Sequence, residues 1–169
     1  MDFKDVIQDR YSLRKFSDKP VEQEKIDAIL EMARIAPTAG NRQPQRVMVY
    51  SGDADIAKID LCTRSRYGAP LVFAICYDKD ACWVRPFDNE NSGQVDASIV
   101  TTYMMLEATA QGLGTVWVMH FNPAELISNF EIEDKYVPVA LLVVGYPTDD
   151  AEPSERHNQR MTLDEMLIK

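Results

Sequence analysis

The sequence Arg10-Tyr11-Ser12-Leu13-Arg14-Lys15-Phe16 sets two arginines and a lysine around a serine. In an extended stretch, residues two positions apart point to the same face, so the side chains of Arg10, Ser12 and Arg14 can converge on one anion. Each guanidinium group can bind a phosphate through two parallel hydrogen bonds. The pattern therefore favours a phosphate site, while a solvated basic turn at a helix end is the alternative for this segment alone.

A second informative segment, Ala36-Pro37-Thr38-Ala39-Gly40-Asn41-Arg42-Gln43-Pro44-Gln45, follows about one helix later. Its amide side chains can both donate and accept, which matches the carbonyl and imide edge of a flavin, and its glycine permits an unusual backbone. The alternative is an ordinary connection between a helix and a strand. Taken together, the two segments indicate a phosphorylated aromatic cofactor, and hence a redox enzyme rather than a hydrolase.

The composition is that of an acidic globular protein. The chain has 169 residues, of which 46% are hydrophobic, and its formal net charge is -9. This length predicts a single domain over residues 1–169. The acidic charge argues against nucleic acid and membrane as partners. It also gives weight to Arg10, Arg14 and Arg160 as anion-binding residues, because they run against the overall charge.

Cysteine usage and the N-terminus predict a cytoplasmic protein. Cys62, Cys76 and Cys82 are odd in number and form no CxxC spacing, which argues against a disulfide framework and against a metal site. Three free thiols are typical of a reducing compartment. The first residues contain no apolar signal region, and the longest apolar run, 137–146, is too short to span a bilayer.

Hydrophobic periodicity predicts interspersed helices and strands. Helices are expected over 2–10, 22–35, 55–63 and 95–111, with two more opening at Asn122 and Thr162, and strands over 46–51, 71–77, 115–119 and 138–145. Residues 78–93 are polar and irregular, as in a surface loop. The helix over 95–111 is apolar on nearly all sides, so it is expected in the core or in a subunit interface. The order of elements favours a mixed sheet with helices on both faces.

The sequence contains no group that stands out as a catalytic acid, base or nucleophile. Gly112-Leu113-Gly114 leads into a strand without a third glycine, so it is not a dinucleotide fingerprint. Ser12 lacks the motif of a nucleophilic serine. His120 and His157 lack ligand-like spacing to cysteines or carboxylates. The absence of catalytic residues fits a site in which a cofactor carries the chemistry.

In five segments, in order, the chain resembles the small form of the nitroreductase family of FMN-dependent oxidoreductases. The resemblance rests on residues 10–16, 36–45, 96–118, 145–147 and 156–163. It implies an α+β sandwich with a mixed, mainly antiparallel sheet flanked by helices. It also implies an intertwined homodimer with two FMN sites at the interface.

The resemblance also assigns site residues. The FMN phosphate would contact Arg10, Ser12, Arg14 and Arg160. The flavin ring of the partner's site would lie against Pro37, Thr38, Ala39, Asn41 and Gln43. The strand residues Trp117, Val118 and Met119, with His120, would pass their backbone by flavin N5. The chain departs from many relatives at Gln45, where they have tryptophan, and at Met119 and His120, where they have glycines; larger side chains there could narrow the substrate pocket.

The implied activity is a ping-pong transfer of hydride from NADH or NADPH through FMN to a small-molecule acceptor such as a nitroaromatic or a quinone. Two alternatives remain open on the sequence. One keeps FMN but performs reductive dehalogenation or flavin fragmentation, with 78–93 as a lid. The other is a non-enzymatic flavin-binding module.

Overall fold

The core of the fold is a four-stranded antiparallel sheet. A computed structural model describes residues 2–168 of the chain. The sheet has the order β1-β2-β4-β3, and its strands are β1 (Gln45–Ser51), β2 (Leu71–Asp78), β3 (Gly114–Val118) and β4 (Tyr136–Gly145). β2 and β4 occupy the centre, which explains their continuous apolar sequences, because both of their faces are covered. β1 and β3 form opposite edges.

Six helices accompany the sheet in the described residues. They are α1 (Phe3–Asp9), α2 (Gln23–Ile35), α3 (Asp53–Cys62), α4 (Gly93–Ala110), α5 (Pro123–Phe130) and α6 (Leu163–Met166). Each predicted helix and strand is present, with ends that differ from the prediction by at most two residues. α3, for example, begins two residues early because Gly52 adopts φ 88 and turns the chain directly into the helix.

The helices cover both faces of the sheet. On one face, Ile29 of α2 and Met104 of α4 pack in one core cluster with Phe73 of β2. On the other face, Ile59 of α3 and Leu126 of α5 belong to a second cluster. Burial of each such side chain stabilises the fold by about 1.5–3 kcal/mol. The result is the expected α+β arrangement of a sheet between two helical layers.

The long helix α4 has one buried and one exposed apolar side. Its inner side, including Val100 and Met104, is fully buried. Its outer side exposes 62% of Val95 and 39% of Tyr103. The sequence predicts this helix in the core or in a subunit interface; in the single chain the core accounts for its inner side, and its outer apolar side is exposed.

The segment before α2 is joined to the edge of the sheet at β3. Ser12 forms a parallel bridge with Thr115, and the Leu13 N–H donates to the Thr115 carbonyl at 2.9 Å. This isolated bridge is parallel, whereas all pairs among the four strands of the sheet are antiparallel, so the sheet itself is antiparallel rather than mixed. Leu13 packs so closely against Gly114 that a Cβ on the glycine would collide with it. The backbone on either side of Ser12 is therefore fixed by the sheet.

Residues 79–92 lack helices and strands but are ordered by a tight turn. Val84 bridges Asn91, and both guanidinium bonds of Arg85 reach the carboxylate of Asp88, at 2.7 and 2.6 Å. This turn leads directly into α4. Among residues 2–168, no helix has the length and apolarity that crossing a membrane requires.

Candidate functional site

An arginine-rich cavity lies beside β3. Its volume is about 210 Å³, and it contains Arg10, Ser12, Arg14 and Arg160, which the sequence assigned to one anion site. The structure adds residues that the sequence analysis did not assign. The complete lining is Arg10, Tyr11, Ser12, Arg14, Ser154, Arg156, His157 and Arg160.

Two separate parts of the chain build this cavity. Arg10 ends α1 in an extended conformation, and its N–H donates to the Val6 carbonyl. The opposite wall comes from a short 3-10 turn, Glu155–Asn158, that carries Arg156 and His157. The ring of His157 contacts that of Tyr11 edge-on, with centroids 6.3 Å apart. Arg160 follows two residues after this turn, outside any helix, so no helical spacing in the sequence pointed to the second wall.

The cavity carries a concentrated positive charge. Within residues 2–168, its four arginines form no ion pair with a carboxylate. Burial lowers the pKa of Arg10, and the nearby charge of Arg160 lowers it further. Arginine nevertheless remains protonated in proteins, so the charges persist and repel one another. A dianion with several acceptor oxygens is the ligand that this arrangement fits best.

The loop with the predicted ring-binding residues is tightly structured. Gly40, Asn41 and Gln43 all have left-handed backbone angles, with φ of 57°, 52° and 52°. The Gln43 N–H donates to Thr38 Oγ1 at 3.0 Å, and the Ala39 N–H donates to Asp96 Oδ1 at 2.8 Å. Pro37, Asn41 and Gln43 are exposed, whereas Thr38 and Ala39 are half-buried. The loop thus presents a preformed polar surface.

The structure does not bring this loop and the arginine cavity together within one chain. The loop leads into β1 at one edge of the sheet, and the cavity lies beside β3 at the other. β2 and β4 separate the two edges, which corresponds to three strand spacings, or roughly 14 Å. The loop residues do not line the arginine cavity.

The remaining predicted site residues, 117–120, lie at the end of β3 and directly after it. Val118 is buried, so its side chain belongs to the core, and Trp117 is half-buried. Met119 is 65% exposed, and the exposed His120 lines a larger cavity of about 530 Å³. The Thr63 hydroxyl donates to the His120 carbonyl at 2.6 Å and fixes the chain after β3. Arg64 lines the same cavity and was not assigned from the sequence.

Comparisons with known proteins agree on one family. The model of the nitroreductase family matches residues 7–79 and 64–146 of this chain. A nitroreductase family protein from Clostridium difficile 630 is 43% identical, with a TM-score of 0.93 over 99% of this chain and 98% of that one. A protein from Desulfovibrio desulfuricans, solved in complex with FMN, is 25% identical, with a TM-score of 0.84 over 100% of this chain and 96% of that one.

A curated relative adds a described activity. The Bacillus subtilis protein named FMN reductase [NAD(P)H] is 28% identical over 168 residues, which cover 89% of this chain and 68% of that protein. The family model spans most of the chain, and the similarity to the Clostridium difficile structure extends over nearly all of it. This chain therefore belongs to the nitroreductase family.

Proposed function

We propose that this protein is an FMN-dependent oxidoreductase that takes hydride from NADH or NADPH and reduces nitroaromatics, quinones or similar electron-poor acceptors by a ping-pong mechanism. The observation that carries the proposal is the cavity of four arginines and Ser12 without a carboxylate partner in the described chain. The FMN-bound Desulfovibrio desulfuricans structure and the Bacillus subtilis FMN reductase support the choice of cofactor and reductant.

The donor set of the arginine cavity fits the phosphate of FMN. Arg10, Ser12, Arg14 and Arg160 would hold the phosphate, together with Arg156 from the second wall. A phosphate dianion offsets the mutual repulsion of the guanidinium groups, and each charge-assisted bond contributes roughly 1.5–3 kcal/mol. The compact cavity and the absence of a dinucleotide fingerprint favour FMN over FAD.

The protein's part in the reaction is to orient and to exclude water. When bound, FMN supplies the chemistry, because it accepts a hydride and passes two electrons to a second substrate. The backbone from Trp117 to His120 would lie along the flavin ring, fixed by the bond from Thr63. The cavity beside His120, with Arg64 in its wall, offers space for ring and substrate. No side chain of this chain has to act as a nucleophile.

We infer that the complete site requires two copies of the chain. Pro37, Thr38, Ala39, Asn41 and Gln43 lie at the opposite edge of the sheet from the arginine cavity and do not line it, so they would cover the ring in the partner's site. The outer side of α4, with exposed Val95 and Tyr103, provides an apolar surface for the partner. The exposed apolar residues around α6, such as Leu163 and Leu167, would add to a symmetric interface. The three free cysteines favour a cytoplasmic location.

Cofactor identity and kinetics test the proposed activity. The purified protein should be yellow and should release FMN, identified by mass. Initial rates with varied nucleotide and quinone should give parallel double-reciprocal lines, because one site serves both substrates in turn. Release of FAD, failure to bind added FMN, or intersecting lines would each contradict the corresponding part of the proposal.

A subunit-mixing experiment tests the shared site. One subunit carries Arg14→Ala, the other carries substitutions at Asn41 and Gln43, and the two are combined after dissociation. A shared arrangement gives the heterodimer one site with both defects and one with neither, so activity partly returns. Heterodimers verified by mass spectrometry that remain inactive would show that each site is built within one chain.

A further inference from the structure

Asp96 is a buried carboxylate in the first turn of α4, with only 1% of its surface exposed. Its Oδ1 accepts the Ala39 N–H at 2.8 Å, and its Oδ2 accepts the Ser92 hydroxyl at 2.7 Å. Within residues 2–168, it forms no ion pair with a lysine or arginine. Both oxygens are therefore used to hold backbone and side-chain donors, one of them in a loop 57 residues away.

The position of Asp96 makes this burial tolerable. The first turn of a helix offsets negative charge through the helix dipole, and two donors replace the bonds to water. An alanine or leucine here would suit an apolar helix better than a carboxylate does. The hydrogen bonds that it accepts from Ala39 and Ser92 therefore explain why a carboxylate stands here.

The loop that Asp96 holds has a conformation that needs external support. Asn41 and Gln43 adopt left-handed angles without being glycines; asparagine tolerates this conformation, but it is unfavourable for glutamine. Strained residues persist only where the surrounding structure determines their conformation. The Ala39 N–H, immediately before this stretch, is the group through which α4 reaches the loop.

The turn before α4 supports the same loop from another side. A Cβ on Gly40 would lie 3.6 Å from Trp83 Cδ1, so the tryptophan ring packs against the loop. The Ser92 N–H donates to the Trp83 carbonyl at 2.9 Å, and the Ser92 hydroxyl donates to Asp96. Trp83, Ser92 and Asp96 thus form one connected support beneath the loop.

We propose that Asp96 is a positioning residue, whose carboxylate holds the loop from Thr38 to Gln43 in the conformation that covers the flavin ring of the partner's site. This inference rests on the proposed function. Asp96 touches neither cofactor nor substrate in this arrangement and acts only through Ala39.

Amide hydrogen exchange tests the contact directly, without reference to activity. In Asp96→Ala, exchange at the Ala39 amide should accelerate about tenfold to hundredfold, as for the loss of one charge-assisted bond. Asp96→Asn should keep most of the protection, because its side-chain oxygen still accepts from Ala39. Thr101→Val is the matched control, since it removes a buried hydroxyl bond of α4 without touching the loop, and it should leave Ala39 exchange unchanged.

Ala39→Pro reaches the same bond from the loop side and leaves α4 intact. It removes the donor, and Thr38 already has the extended backbone, φ -135 and ψ 157, that precedes proline. Both Asp96→Ala and Ala39→Pro should change the visible circular dichroism of bound FMN and raise its Kd about tenfold. Since Ala39 itself is proposed to lie against the flavin ring, its variant only supports the result from Asp96; if Asp96→Ala does not fold, Asp96→Ser takes its place, because its hydroxyl is one bond shorter than the carboxylate that holds Ala39 and can still bond Ser92.

Different results would contradict the positioning role of Asp96 and the proposed function. Unchanged Ala39 exchange in Asp96→Ala would overturn the inference, and so would an unaltered flavin spectrum and Kd in the variants that fold. A wild-type protein that binds no FMN would instead overturn the proposed function.

Discussion

Arg14→Ala should weaken FMN binding roughly tenfold to hundredfold. Arg14 lines the arginine cavity, its Nη1 donates to the Ser12 carbonyl at 3.2 Å, and its guanidinium carbon lies 6.0 Å from the centre of the Tyr67 ring. These contacts orient the guanidinium group without neutralising it. The substitution removes one charge-assisted bond to the phosphate, worth about 1.5–3 kcal/mol, and each 1.4 kcal/mol changes Kd tenfold.

Lys15→Ala is the matched control, because it removes the adjacent positive charge from a residue that is already paired. Lys15 Nζ lies 2.7 Å from Asp150 Oδ2, and the side-chain hydrogen bond and charge of Asp150 raise the pKa of Lys15. FMN affinity should therefore change little in this variant.

The measurement is a titration of the apoprotein with FMN at low and at high salt, in which quenching of flavin fluorescence reports binding. The difference in FMN affinity between wild type and Arg14→Ala should shrink at high salt, because screening weakens the interaction between Arg14 and the phosphate in wild type. Equal losses of affinity in Arg14→Ala and Lys15→Ala would refute a specific contact of Arg14 with the phosphate. General attraction by nearby positive charge would then explain the affinity for FMN.

Two further predictions concern the charged groups. Arg160→Gln should weaken FMN binding to a similar extent, but should leave the melting temperature of the apoprotein unchanged or higher, because it removes repulsion against Arg10; a clear loss of apoprotein stability would argue for a structural role. The hydrogen bond from the Tyr146 hydroxyl, at 2.6 Å, is the largest cause that lowers the pKa of Glu22 from 4.5 to about 2. The stabilisation from the Glu22 carboxylate is therefore complete above pH 4.5 and is lost as the pH falls towards 2. Tyr146→Phe should raise the pKa of Glu22, measured as the midpoint of an NMR titration. An identical pKa in wild type and variant would show that the Tyr146 hydroxyl does not cause the shift.

Periodicity alone predicts much of this fold. Buried strands such as β2 are continuous apolar runs, and Asn122 and Thr162 mark helix starts through side-chain caps. The sequence pattern could not distinguish the exposed outer side of α4 from its buried inner side, because the residues on both sides are apolar. Only the packing of α4 against α2 and the sheet distinguishes them.

The candidate site was predictable where its residues are close in sequence. Arg10, Ser12 and Arg14 lie together because one extended segment carries them. Asp96 escaped assignment because its partner, Ala39, is distant in the chain, although an acidic residue in an apolar helix was a visible signal. The contact depends on tertiary packing, which no local pattern encodes.

The order of strands in the sheet has a thermodynamic consequence. If each site is shared between two chains, as proposed above from the loop and the arginine cavity on opposite edges, cofactor binding and chain association are linked equilibria. Reciprocity then requires that FMN tighten the association of two chains by the same factor by which association tightens FMN. Dilution of the apoprotein would lower its apparent affinity for the cofactor, and a supply of flavin would in turn regulate how much of the protein exists as assembled pairs.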